Sequence, residues 1–266
     1  MTKKSAVVII GCISVILMCG CSFFPGSQSK KSLNEGIALF NNGDCENAKL
    51  KFEEAVQKDP NLWQGYYYMA ECALKKIDFQ ESLKLAQKAK ALTGKDKNSN
   101  NTLKTFFLTG GQSALAKGDY NNAIFFLSEA VSLDQNAADT HLLLGKALLE
   151  RGEKGDMKTA IAELKAAITW SKDTAKDTEQ IRGFFFDRAK KYSLKDDIYT
   201  ESRCYLAYTE NFNQKDVAAL VLIGRLFLKM GNPIGALDYA ERAHELSPQD
   251  KGVMELMDNL NTPFNG

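Results

Sequence analysis

The chain has 266 residues, of which 44% are hydrophobic and 25% charged, with 34 lysines and arginines against 33 aspartates and glutamates. That composition belongs to a folded protein rather than a disordered one. A near-neutral chain without a basic block lacks the charge that phosphate neutralisation requires, which excludes nucleic acid as a partner. Five prolines beside abundant Ala, Leu, Lys and Glu favour helix over strand, so the expected fold class is all-α.

Residues 1–20 open with Lys3 and Lys4, continue in an apolar run from Ala6 to Met18 and end in small residues, the layout of a secretory signal. The run is too short for a comfortable membrane span. Met18-Cys19-Gly20-Cys21 resembles the bacterial lipoprotein signal, in which a small residue precedes a cysteine that takes the lipid and becomes the mature N-terminus. The resemblance implies lipidation at Cys21, a tether over 21–29 and a membrane as one partner, held through acyl chains. Ser22, where Asp would be avoided, points to the outer membrane, facing the periplasm. Ile9-Ile10-Gly11-Cys12 fits the same box, but cleavage there leaves few apolar residues after the lysines; an uncleaved anchor helix is the alternative. Loss of Lys3 and Lys4 turns 34 bases against 33 acids into 32 against 33, a net charge of −1. Of six cysteines, Cys45, Cys72 and Cys204 lie in the body of the chain; their odd number and lack of CxxC spacing favour small buried hydrophobes over a bridge.

Downstream, GDCENAKLKFEEAVQKDPN (Gly43–Asn61) nearly recurs as GDYNNAIFFLSEAVSLDQN (Gly118–Asn136) and GNPIGALDYAERAHELSPQ (Gly231–Gln249). Gly36, Gly111 and Gly224 each precede by twelve residues the alanines Ala48, Ala123 and Ala236. The spacing predicts antiparallel helix pairs with Gly111 facing Ala123, while Phe52 or Leu127 fills the space between pairs. Gly43, Gly118 and Gly231 are expected in left-handed turns. Pro60 and Pro248 end second helices.

These residues resemble the tetratricopeptide repeat, a helix–turn–helix unit of about 34 residues. The resemblance implies a right-handed superhelical solenoid over 30–260, with units near 30–61, 62–93, 103–136, 138–171, 179–213 and 216–248. A helix over 251–260 caps the last pair, and 261–266 forms a tail. GKDKNSNN (94–101) reads as a polar spacer, SKDTAKDTE (171–179) as a loop, and ERGEKGDM as a lengthened turn in the fourth unit.

A catalytic constellation is not found. His141 and His244 stand far apart without metal-like spacing, and the carboxylates of Glu53-Glu54 and Asp196-Asp197 diverge. No metal, cofactor or small-molecule substrate is therefore expected. The resemblance implies instead a non-enzymatic scaffold that holds a protein or peptide on the concave face formed by first helices. Projection of each first helix places there Gln64, Tyr67 and Glu71, then Thr105, Leu108 and Gln112, then Leu142 and Lys146, and finally Val221 and Arg225. Tyr67, Leu108, Leu142 and Val221 offer apolar area to an amphipathic partner. Six repeats on a lipoprotein are also similar in size and layout to type IV pilus pilotins. The competing reading is a cell-wall-associated enzyme or its accessory subunit.

Overall fold

The computed structural model describes residues 25–261, and within them every regular element is a helix. In chain order these are α1 (Pro25–Asn41), α2 (Cys45–Lys58), α3 (Trp63–Lys75), α4 (Phe79–Thr93), α5 (Lys97–Ala116), α6 (Tyr120–Leu133) and α7 (Ala138–Arg151). α8 (Asp156–Trp170), α9 (Thr174–Ser193), α10 (Ile198–Asn211), α11 (Val217–Lys229), α12 (Pro233–Leu246) and α13 (Lys251–Asn261) follow. Consecutive helices pack as pairs from α1·α2 to α11·α12, and each second helix also meets the first helix of the next pair. First helices touch along the row α1, α3, α5, α7 and α9, and α13 lies on both α11 and α12. The molecule is the all-α solenoid expected of the repeats. Among the described residues, no helix is long and apolar enough to cross a membrane.

One turn is written repeatedly. Gly43 ends α1 at φ 84°, the Asp44 N–H donates to the Leu39 carbonyl at 3.0 Å, and the Asp44 carboxylate accepts from the Asn47 N–H at 3.1 Å. The left-handed residue closes one helix and the next side chain caps its partner. Gly118-Asp119 and Gly231-Asn232 repeat this geometry, and Ile77-Asp78 and Asp196-Asp197 reproduce it without glycine, at φ 61° and 55°. In the fourth unit Gly152 closes α7 and Gly155 opens α8. The added residues are tied down by Asp156, which accepts from Arg151 Nη2 at 2.7 Å and from the Glu153 N–H at 2.8 Å. That guanidinium holds the Asp156 carboxyl below the usual carboxylate range. The insertion lengthens the turn and leaves the stack intact.

The alanines at the repeated steps are fully buried, as are Phe52, Leu127 and Leu164. Their geometry corrects the expected pairing. A Cβ at Gly36 would lie 2.5 Å from the Phe52 ring, one at Gly111 would lie 2.6 Å from Leu127, and one at Gly145 would lie 2.5 Å from Leu164. The glycine therefore seats the large residue of the partner helix, which does not sit between pairs. Alanine contributes the close backbone: the Ala160 carbonyl is 3.4 Å from that Cβ position at Gly145. In the last unit the large residue is replaced by Ala240, and Leu256 of α13 takes the seat, 2.6 Å from the Cβ position of Gly224.

Three boundaries also move. α1 opens at Pro25, inside the stretch read as a tether, and Ser29 is buried. α5 opens at Lys97 within the polar spacer, because Asp96 caps it by accepting from the Ser99 N–H at 2.8 Å. α9 opens at Thr174 within the presumed loop, because Asp173 accepts from the Lys176 N–H at 3.1 Å. Polarity in both stretches marks helix starts bearing solvent-facing residues. The signal 1–20, the proposed lipid site Cys21 and most of the tail lie outside the described residues.

Candidate groove along the first helices

Residues three and four apart share a helix face, and on α5 that rule lines up Lys104, Thr105 and Leu108 with Gln112 and Leu115 one and two turns later. α7 runs beside α5. Their seam opens into two crevices. The first, about 420 Å³, lies midway along α5 and at the start of α7, between Lys104, Thr105 and Leu108 on α5, Asp139 and Thr140 on α7, and Trp170, Lys172, Lys176 and Asp177 around the α8–α9 turn. The second, about 380 Å³, lies toward their ends, between Gln112, Leu115, Tyr120, Leu143, Lys146, Glu150 and Lys191.

Part of the charge in both crevices is committed, while Asp139, Lys172, Lys176 and Asp177 in the first have no side-chain partner among the described residues. In the first, Lys104 Nζ donates to Asp134 Oδ2 at 2.9 Å, and that bond holds the Asp134 carboxyl below the usual range. In the second, Lys191 pairs with Glu150, and Lys146 Nζ stands 5.4 Å from the Phe184 ring centroid. What the walls leave open is apolar stem and amide: half-buried Leu108, exposed Gln112 and half-buried Lys146. Such a surface can take an extended or helical segment through apolar contact and amide hydrogen bonds.

The expected positions separate into three groups. Leu108, Gln112 and Lys146 line this seam, and Thr105 is exposed beside it. Tyr67 and Glu71 are held to each other, the phenol donating to Glu71 Oε1 at 2.8 Å, and the Tyr67 ring stands edge-on to Trp63, Tyr68 and Phe106 at 6.0, 5.1 and 5.7 Å. Burial pushes the Tyr67 phenol well above its ordinary value. Tyr67 is thus an aromatic joint between α3 and α5, with half-buried Gln64 one turn before it on α3. Leu142 and Val221 are the third group, and they correct the projection: at 4% and 5% exposure they belong to the core and offer no apolar area to a partner. Leu142 joins the main core, as does Leu144. Val221 is covered by α13, which also engages Arg225 Nη2 through Glu255 Oε2 at 2.8 Å. The last unit's share of the concave face is occupied by the chain's own capping helix.

Sequence reasoning missed Trp170, Asp139 and Asp177. The last two sit in first turns of helices, and Asp177 lay in the stretch read as a loop, so the Asp173 cap was the signal that could have placed it. His141, buried, is structural: Nδ1 is 2.6 Å from Glu163 Oε2 and Nε2 is 2.9 Å from the Gln135 carbonyl. Cys45, Cys72 and Cys204 are free thiols. Among the described residues, no group of three or more His, Cys, Asp or Glu could hold a metal ion.

No curated protein matches the chain. Among solved structures it is similar to YrrB, a TPR protein with an unusual peptide-binding site, at 14% identity over 88% of this chain and 93% of that one, with a TM-score of 0.39. It is also similar to pilF of Pseudomonas aeruginosa, at 15% identity over 88% and 99% with a TM-score of 0.36, and to PilW, a type IV pilus biogenesis factor, at 15% over 86% and 98% with a TM-score of 0.35. The tetratricopeptide repeat profile matches residues 33–97 and 108–175, together half of the chain. With the same turn, cap and glycine seat recurring along the stack, the chain belongs to the tetratricopeptide repeat family.

Proposed function

We propose that the chain is a lipid-anchored, non-enzymatic scaffold of the cell envelope, tethered at Cys21 to the periplasmic face of an outer membrane, and that it holds a protein or peptide partner along the α5–α7 seam. The observation that carries this reading is the seam itself, where Leu108, Gln112 and Lys146 stand open beside crevices of about 420 and 380 Å³. Membership of a family that works through protein interaction supports the partner class. The sequence layout of residues 1–21 supports the anchor. Assembly of a pilus or another envelope machine is the narrower reading, resting on the combination of repeats and lipoprotein signal.

The test is photo-cross-linking in native membranes from a reactive residue placed at Leu108 or Gln112, with exposed Lys165 of α8 as the control position. A discrete adduct from the seam positions and none from Lys165 supports the reading; equal capture from all three sinks it. Cys21→Ala should abolish acyl labelling. Persistent labelling would move the lipid to Cys12 or Cys19.

A further inference from the structure

Resting on the seam as a partner site, we propose that its first crevice is a cation pocket, in which the carboxylate of Asp177 receives a lysine or arginine side chain of the bound polypeptide. Asp177 is only 8% exposed, yet it lines the crevice, and its carboxylate makes no hydrogen bond or ion pair among the described residues. Its oxygens are not among the buried unsatisfied atoms and so face the opening, where a carboxylate set in a largely desolvated wall gains more from a supplied cation than one in bulk water does. The nearby groups do not supply it: Lys104 is committed to Asp134, and Lys172 and Lys176 are exposed to solvent at the mouth. Asp173 spends its carboxylate on capping α9, and Asp139 adds a second acid on the opposite wall.

Trp170 completes the chemistry. Its ring is 47% exposed at the same crevice, where an indole face favours a cation over a neutral chain of equal length. An anionic ligand would meet the carboxylate of Asp177 within and that of exposed Asp139 at the rim, so the two acids favour positive charge. A long stem suits the place as well as a charged head does, because Leu108 and the methyl groups of Ala137 and Ala138 form the approach to the acid. The pocket opens onto the seam, so the cation it takes is one displayed by a chain lying along α5 and α7.

Nuclear magnetic resonance of the full soluble chain, residues 22–266, with labelled indole nitrogens reads this directly. The sequence has two tryptophans, and Trp63→Phe assigns the Trp170 signal. Acetyl-lysine methylamide should shift that signal saturably, the uncharged acetyl-norleucine methylamide should shift it at least tenfold less, and Asp177→Asn should remove the difference. A silent Trp170 signal, an equal response to both amides, or an unchanged difference in Asp177→Asn would each overturn the pocket. These outcomes are separable from failure of the seam, since cross-linking from Gln112 in the second crevice reports partner binding whether or not Asp177 takes part.

Discussion

Leu127 occupies the place where Gly111 would carry a side chain, with its Cγ 2.6 Å from the position of that missing Cβ. The seat is steric, so its content is measurable. Gly111→Ala should lower stability by about 1–3 kcal/mol, as overpacking of a filled interior does, despite the better helix propensity of alanine. Urea unfolding checks it. In the double variant Gly111→Ala with Leu127→Ala the two losses should be less than additive, because the clash vanishes with the leucine. Ala123→Leu should cost a similar ~1–3 kcal/mol, since Ala123 is fully buried.

Ile77 stands where other turns place glycine, at φ 61°, and a β-branched residue is unfavourable there. The left-handed conformation costs about 1–2 kcal/mol, and glycine returns ~0.5–1 of that to unfolded-chain entropy. Ile77 is 48% exposed and so loses modest packing. Ile77→Gly should therefore stabilise by about 0.5–1 kcal/mol in the same unfolding assay, and a loss of stability would show that its remaining contacts outweigh the backbone strain.

Alkaline pH should weaken the fold through its thiols and phenols. Burial, with a smaller contribution from the Cys45 thiol in the same crevice, pushes Cys72 from 9.0 up to about 12. Burial likewise pushes Cys204 up to about 11, and Tyr205 and Tyr208 up to about 12. Because these folded-state values are raised, the unfolded chain ionises first. The stabilisation is complete below pH 9 and is lost as pH rises between 9 and 12. Melting temperature should fall across that window, and iodoacetamide at pH 8.5 should alkylate Cys72 and Cys204 in denatured protein far faster than in folded protein.

Groove and core positions on neighbouring first helices should respond oppositely. Leu108→Glu with Gln112→Glu adds charge on half-open surface and should reduce cross-linked partner while leaving the melting curve within about 1 kcal/mol of the parent. Leu142→Ala removes a core side chain and should cost ~2–5 kcal/mol. If Leu142→Ala is silent in stability, α7 is rotated relative to the described packing.

At the closed end, Leu256→Ala should cost ~2–5 kcal/mol because it empties the seat at Gly224. Glu255→Ala breaks only exposed pairs with Arg225 and Lys251, about 0–1 kcal/mol. A chemical denaturation series on the two variants separates the contributions.

The repeat period, the turn glycines and the buried alanines were legible because each is a steric requirement written at a fixed interval. Helix starts inside GKDKNSNN and SKDTAKDTE were not, since a polar run reads as loop until Asp96 and Asp173 are recognised as caps. Leu108, Gln112 and Lys146, which helical projection set on the first-helix face, line the seam. Leu142 and Val221 were misplaced for different reasons: one helix face of α7 is apolar over a wider arc than the consensus supposes, and α13 comes back over α11 from outside the repeat. Asp177 and Trp170 meet only because the α8–α9 turn brings them to α5, a relation that no local pattern encodes.

The return of α13 onto α11 also limits how the stack can be extended. A stack of identical pairs is open-ended, and its last pair offers the next a ready ledge, whether that next pair is a duplicated unit or another molecule. Here Leu256 and Val253 already fill that ledge. Lengthening the array by gene duplication would have to insert before α11 rather than after α12, and growth of fibres from this end would first have to peel α13 away.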